Sequence, residues 1–130
     1  MIIPTVTPLY AGLLGLLLVF LSSNVIARRY GAKVSLGYGD DKLLNKRIRA
    51  HANFIEYTPM GLLLLLLTEF QGAPLWVSHS LGLMLLVGRL MHAYGISAEP
   101  QITGLRKNGM VLTFAMLFFA ALSNIGHAVF

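Results

Sequence analysis

The feature that most constrains the fold of this chain is the length of its uncharged stretches. Residues 1–27, 70–88 and 108–130 contain no Asp, Glu, Lys or Arg. Each stretch reaches the roughly 18–20 apolar residues that a helix needs to cross a hydrocarbon layer about 30 Å thick. A fourth stretch, residues 50–68, is interrupted only by Glu56. Because four crossings use nearly all of the 130 residues, the sequence predicts an integral membrane protein without a separate soluble domain.

The composition supports a membrane location and argues against several other classes of protein. Only 12% of the residues are charged, against about a quarter in a typical soluble domain. The net charge of +5 does not predict nucleic-acid binding, because the basic residues flank the apolar stretches, where they normally set membrane topology. The chain has no cysteine and therefore no disulfide or cysteine nucleophile. Its histidines lack the spacing of metal ligands, so we expect no metal site.

The order of apolar stretches and turns predicts an all-α fold, in which one membrane domain over residues 1–130 forms an up-down-up-down four-helix bundle. The predicted transmembrane helices cover about 8–27, 47–70, 74–96 and 106–130. The second and third are joined by the short turn QGAP, residues 71–74, so these two helices should be antiparallel neighbours.

Orientation in the membrane follows from the positions of Lys and Arg. Nine basic residues lie in or beside the first and third loops: Arg28, Arg29, Lys33, Lys42, Lys46, Arg47, Arg49, Arg106 and Lys107. The QGAP turn and both termini carry none. The positive-inside rule therefore places loops one and three in the cytoplasm and both termini outside. The short loops favour a bacterial inner membrane over an organelle.

Polar residues run into the second predicted helix. Arg49, Asn53 and Glu56 are spaced by four and three residues, so they share one face of that helix, and Tyr57 flanks them. A charge at membrane depth costs at least about 2.5 kcal/mol and is normally paired or functional. This polar face therefore needs a partner or a ligand.

The third predicted helix offers a partner. Arg89 and His92 are three residues apart and share a face, and Arg89 lies at about the same depth as Glu56 in the cytoplasmic half. One interpretation is a structural ion pair between Glu56 and Arg89 that fixes the helix register. The other is a polar pocket for an anionic or zwitterionic ligand, which the surplus of polar groups around the pair favours.

Three further polar residues are expected to be structural. Glu69 ends the second predicted helix and should extend to the outer membrane interface, near which His79 and His127 should also lie.

The residues RAHANFIEYTP, 49–59, contain the pattern R-A-x-x-N-x-x-E-x-x-P at the start of a membrane helix. This pattern resembles the signature of the MAPEG superfamily, the membrane-associated proteins in eicosanoid and glutathione metabolism. The resemblance extends over nearly the whole chain. It includes Ala-Arg-Arg at 27–29, Gly88, Arg89 and His92, and a basic residue that opens the fourth helix. The chain is most similar to the short bacterial members.

The resemblance implies a homotrimer of four-helix protomers that binds glutathione between adjacent protomers on the cytoplasmic side. By motif position, the residues that would hold the tripeptide are Arg28, Arg49, Asn53, Glu56, Tyr57, Arg89 and His92. Arg106 would be the catalytic residue, because in such proteins an arginine at the start of helix four lowers the pKa of the thiol. The electrophilic partner would be a lipophilic small molecule that arrives from the bilayer.

The charges of these residues suit that ligand. Glutathione carries two carboxylates and one ammonium group, so its site needs several cations and one anion. The sequence after Arg106 differs from relatives that place Ser and Tyr near the thiol, since Lys107 and Met110 follow here. The reaction is therefore open between conjugation, peroxide reduction and isomerisation. Two other functions are also open: a non-catalytic binding or scaffold protein of the same fold, and a small proton-coupled exporter that uses Glu56.

Overall fold

The computed structural model describes residues 3–130, and the regular secondary structure in that range is entirely α-helical. Its four helices are Val6–Ala32 (α1), Lys42–Phe70 (α2), Leu75–Ser97 (α3) and Thr103–Val129 (α4). The all-α, four-helix prediction is confirmed. Within the described range, α1 and α4 are the helices long and apolar enough, by length and composition, to cross a membrane. The other two carry most of the polar residues considered below.

The first two helices extend well beyond the apolar stretches from which they were predicted. α1 continues to Ala32 and ends at Lys33, which adopts a left-handed conformation with φ 57°. α2 begins at Lys42 because Asp41 caps it, its Oδ1 accepting a hydrogen bond of 2.8 Å from the Leu44 N–H. A helix ends where capping groups satisfy its free backbone groups, and this need not coincide with the end of an apolar stretch.

The helices pack as a bundle with α2 and α3 at its centre. Each of these two contacts all the other helices, whereas α1 and α4 do not contact each other within residues 3–130. The first and third loops lie at the same end, where Lys46 Nζ is 2.8 Å from Glu99 Oε1 and donates to the Ala98 carbonyl at 3.2 Å. We call this the basic end, because it holds residues 28–49 and 106–107, which include nine of the ten Lys and Arg residues.

Close backbone contact joins α3 to α4. A Cβ atom on Gly109 would lie 2.6 Å from both the Gly88 carbonyl oxygen and the His92 nitrogen. A Cβ atom on Gly95 would lie 2.5 Å from the Arg106 nitrogen. Small residues permit this approach, which is a common way for membrane helices to pack. The approach holds the side chains of α3 directly against those of α4.

At the opposite end, Glu69 fastens α1 to α2. Its carboxylate accepts hydrogen bonds from the backbone N–H groups of Thr5, Val6 and Thr7 at 2.6–2.8 Å and from the Thr7 hydroxyl at 2.7 Å. Glu69 is only 5% exposed, so its side chain does not extend outward as predicted but turns onto the start of α1; its position relative to the membrane interface stays a prediction. The free N–H groups and the positive dipole end of α1 attract the carboxylate inward.

Candidate functional site

Arg89 lies at the centre of a polar cluster between α2, α3 and α4, and it is only 1% exposed. Its Nη1 donates to Asn53 Oδ1 at 2.6 Å. Its Nε and Nη2 donate to the Thr113 hydroxyl at 2.9 and 2.7 Å. Nη2 also donates to the Met110 sulfur at 3.1 Å. One guanidinium thus connects all three helices.

The Thr113 hydroxyl is oriented by its own helix. It donates to the Gly109 carbonyl oxygen, one turn earlier, at 2.8 Å. Since its one proton is used there, its oxygen can only accept from Arg89. Gly109 also allows α3 to approach α4, so the same turn of α4 positions both the backbone and the acceptor for Arg89.

An aromatic pair covers the guanidinium. The Arg89 Cζ atom is 5.5 Å from the centroid of the Tyr57 ring, a cation–π distance. Tyr57 in turn packs edge-to-face on Phe114 of α4, with ring centroids 5.4 Å apart. The Tyr57 ring is thus one more neutral neighbour of the guanidinium.

All of these partners of Arg89 are neutral. Within residues 3–130 the salt bridges are Arg28–Asp41 and Lys46–Glu99, so no carboxylate neutralises Arg89. The interpretation that Glu56 pairs with Arg89 is therefore wrong for a single chain. Asn53 and Tyr57, one turn apart, both turn toward Arg89. Glu56 lies about 100° from Tyr57 around the helix and is exposed.

The other residues predicted for the site lie around this cluster without bonding to it. His92 is buried, and its backbone lies against Gly109 of α4. Arg49 is exposed at the basic end of α2, and Arg106 is exposed in the first turn of α4. The structure thus brings Asn53, Tyr57 and Arg89 into direct contact, and it leaves Arg49, Glu56 and Arg106 on the surface of the chain.

Arg28 is engaged elsewhere. Its Nη2 is 2.6 Å from Asp41 Oδ2, and its Nε donates to Oδ1 at 3.2 Å. The hydrogen bond from Arg28, followed by the one from the Leu44 N–H, lowers the pKa of Asp41 below its usual value. A ligand carboxylate would have to share or replace Asp41 to bind Arg28.

Sequence reasoning missed three residues of α4 that complete the cluster. Met110, Thr113 and Phe114 share one face at spacings of three and four. A hydroxyl within the apolar run of α4, four residues after a glycine, was a usable signal for Thr113. Met110 and Phe114 gave none, because such residues face lipid as often as they face a core.

A groove of about 470 Å³ runs along α4 beside this cluster. It is lined by Thr103, Arg106, Lys107, Met110, Val111 and Phe114. Two cations stand at one end, and the rest of the wall is largely apolar. Because Met110 contacts both the groove and Arg89, a molecule in the groove would lie next to the buried guanidinium.

The sequence profile of the MAPEG family matches residues 7–126, a range that contains the polar cluster and nearly all of the four helices. The chain belongs to the MAPEG family. Its relatives include the inner membrane protein YecN of Escherichia coli (strain K12) and YecN of Escherichia coli O6:H1 (strain CFT073). Each is 38% identical over 120 residues, covering 92% of this chain and 90% of the relative.

Membership of the MAPEG family confirms the resemblance drawn from the helix-two pattern and establishes that the bundle is a membrane protein. The name of the YecN relatives gives a location, the inner membrane, and no activity. The polar cluster of this MAPEG protein must therefore be interpreted from its own chemistry.

Proposed function

We propose that this protein is a glutathione-dependent membrane enzyme, which activates the glutathione thiolate for attack on a lipophilic electrophile or hydroperoxide at a subunit interface. The observation that carries the proposal is the state of Arg89, a buried cation whose partners are all neutral. A buried charge of this kind is costly unless an anion lies nearby. A bound carboxylate would supply that anion.

The surrounding residues match the remaining charges of glutathione. Asn53 uses its amide oxygen on Arg89, so its NH₂ group is directed elsewhere and can donate to a carboxylate. Glu56 can accept charge-assisted hydrogen bonds from the ammonium group, and the exposed Arg49 can bind the second carboxylate. Tyr57 and His92 would border the tripeptide, and Arg28 would join if Asp41 released it.

Arg106 is the residue we assign to the thiol. Bound glutathione supplies the sulfur nucleophile. Arg106 stands in the first turn of α4, where its guanidinium and the positive end of the helix dipole both favour a negative charge. Such surroundings lower a thiol pKa from about 8.5 toward neutrality. The apolar groove that begins at Arg106 would hold the lipophilic substrate beside the sulfur.

The site is incomplete in one chain. Arg49, Glu56 and Arg106 are exposed in the isolated protomer, although each carries a charge that a binding site would enclose. We therefore propose a homotrimer in which adjacent protomers close the site. In the proposed orientation the basic end lies in the cytoplasm and both termini lie outside, within an inner membrane.

The test is a titration of glutathione into detergent-purified protein, followed by the ultraviolet absorbance of the thiolate. We expect saturable binding with thiolate formation in the unaltered protein. Arg106→Ala should abolish the thiolate signal, and Glu56→Gln should weaken binding. Lys42→Gln is the matched control, because it removes an exposed charge at the same end outside the proposed site.

Two results would refute the enzyme. Saturable binding with no thiolate, in protein that also turns over no electrophile, would indicate a non-catalytic binding protein. An absence of glutathione binding in a well-folded trimer would exclude glutathione as the ligand of this protein. Glu56 would then be tested as the carboxylate of a proton-coupled exporter, an alternative that its exposure and its lack of an ion pair within residues 3–130 favour.

A further inference from the structure

Arg28 and Arg29 are adjacent in the sequence but face different surroundings. Arg28 turns toward Asp41 and the start of α2. Arg29 lies about 100° away on the outer face of α1, with Ile26, Tyr30 and Lys33 at the helical spacing i, i+3, i+4, i+7. This outer stripe takes no part in the polar cluster around Arg89.

The outer stripe forms one wall of a groove of about 480 Å³. Val34 and Ser35 form the other wall, because the chain turns back after the helix. Most of the lining is apolar, and Tyr30 is 83% exposed. On the same face of α1, one turn before Ile26, lie Ser22 and Ser23, and the exposed Val19 lies one turn further on. The apolar part of the groove is therefore the surface formed by Ile26, Tyr30 and Val34.

Lys33 makes the turn in an unusual conformation. Its φ is 57°, in the left-handed region that glycine adopts most easily at the end of a helix. The carbonyl oxygen of Arg29 accepts hydrogen bonds from the N–H of Lys33 and from that of Val34, the latter at 3.2 Å. A side chain other than glycine has an energetic cost in this conformation.

Arg29 and Lys33, the two cations of the groove, have N–H groups that can still bind a ligand. Arg29 Nη1 donates to the carbonyl oxygens of Gly37 and Val34, at 2.8 and 3.4 Å. Its Nε and Nη2 make no hydrogen bond to residues 3–130, and neither Arg29 nor Lys33 forms a salt bridge in that range. Both sit where the apolar part of α1 gives way to the polar loop.

We propose that this groove binds an anionic phospholipid. Lys33 and the free N–H groups of Arg29 hold the phosphate, and the start of one acyl chain lies against Ile26 and Tyr30. The combination of two cations with an apolar lining distinguishes this ligand from free phosphate, which would gain nothing from that lining. Basic pockets at the membrane surface recognise lipid headgroups in this manner. The proposal does not rest on glutathione binding.

The test measures retention of phosphatidylglycerol by the purified full-length protein in neutral-detergent micelles, by native mass spectrometry. Phosphatidylcholine is the zwitterionic comparison, and glycerol 1-phosphate is the soluble headgroup. We expect phosphatidylglycerol to bind at least about fivefold more tightly than phosphatidylcholine, and glycerol 1-phosphate not to compete. Lys33→Gly should remove this preference.

Lys33→Gly is informative because glycine fits the left-handed conformation, so loss of lipid binding cannot be ascribed to a misfolded turn. Lys42→Gln removes one charge from the same end outside the groove and should keep the preference. An equal loss in Lys42→Gln would overturn the site in favour of a general surface field. Competition by glycerol 1-phosphate, or a change of oligomeric state in Lys33→Gly, would overturn it too. Glutathione titrations should be unchanged in Lys33→Gly, which separates the two proposals.

Discussion

Arg89 shows how one residue can keep a charge inside this bundle without neutralising it. An amide oxygen, a hydroxyl and a thioether accept its N–H groups, and an aromatic ring lies over its plane. These contacts satisfy the hydrogen bonds of the guanidinium but leave its charge intact. A carboxylate partner would have accepted hydrogen bonds from the guanidinium and would also have neutralised its charge. The retained charge favours an anion site over a structural ion pair.

Replacing Thr113 tests whether these neutral acceptors are needed. Thr113→Val keeps the shape of the side chain but leaves Nε of Arg89 without an acceptor, while Nη2 retains only the Met110 sulfur. An unsatisfied buried donor costs about 1–3 kcal/mol, so we expect a lower midpoint of thermal unfolding, followed by circular dichroism in detergent. Thr113→Ser retains the hydroxyl, so its unfolding midpoint should be close to that of the unaltered protein. Equal midpoints for Val and Ser would contradict this account.

At the scale of elements, the contact between α3 and α4 determines where the cluster can form. Gly88, directly before Arg89, and Gly109 let the two backbones meet, and Gly95 lets the first turn of α4 rest on α3. Through these contacts, the position of Arg106 follows from the packing of the same two helices that bury Arg89. Arg89 and Arg106, at the two ends of the proposed site, are therefore both positioned by the packing of α3 against α4.

Gly109→Ala should separate that pair. Its added methyl group would lie 2.6 Å from backbone atoms of Gly88 and His92, which cannot rotate away. Overpacking of this kind costs about 1–3 kcal/mol, and we expect a lower unfolding midpoint together with weaker glutathione binding. Gly104→Ala is the control, because it lies in the first turn of the same helix with nothing within 4 Å of the new methyl group. The prediction fails if both variants behave alike.

Helix existence was predictable from the sequence, and some helix ends were not. Three uncharged stretches, and a fourth interrupted only by Glu56, predicted the four helices, because the length of an apolar stretch can be counted in the sequence. The early start of α2 depends on the capping of Leu44 by Asp41, and α1 reaches Ala32 through a left-handed lysine where a glycine would be expected. Charged residues in these segments suggested loops. A charged residue ends an apolar stretch, but it does not by itself end a helix.

At the scale of the whole molecule, rotation of each helix about its axis was the main quantity that the sequence left undetermined. Periodicity placed Asn53 and Glu56 on one face, and a modest rotation decides which of them meets Arg89. The bond between Glu69 and the start of α1 joins residues more than 60 positions apart, so no local pattern could reveal it. The sequence therefore predicted some of the residues in the cluster, but it did not predict which of them bond to one another.

The same exposure of Glu56 and Arg106 gives a test of assembly. If a site takes Glu56 from one protomer and Arg106 from its neighbour, a trimer that mixes the Glu56→Gln and Arg106→Ala variants contains some intact sites. In a head-to-tail ring of three, every trimer that contains both variants has one intact site out of about three. We expect thiolate formation near that fraction after the two variants are co-expressed and purified through two different tags.

Each variant alone is the control, measured at a glutathione concentration too low to saturate the Glu56→Gln protein. Under that condition Glu56→Gln should form little thiolate because it binds weakly, and Arg106→Ala should form none. If both groups came from the same chain, every site in the mixed trimer would lack one of them, and no signal would return. That outcome would place the complete site within a protomer, and closure by a neighbour would have to be abandoned. Recovery of the signal would instead explain why this chain exposes charges that a binding site needs enclosed: the neighbouring copy encloses them.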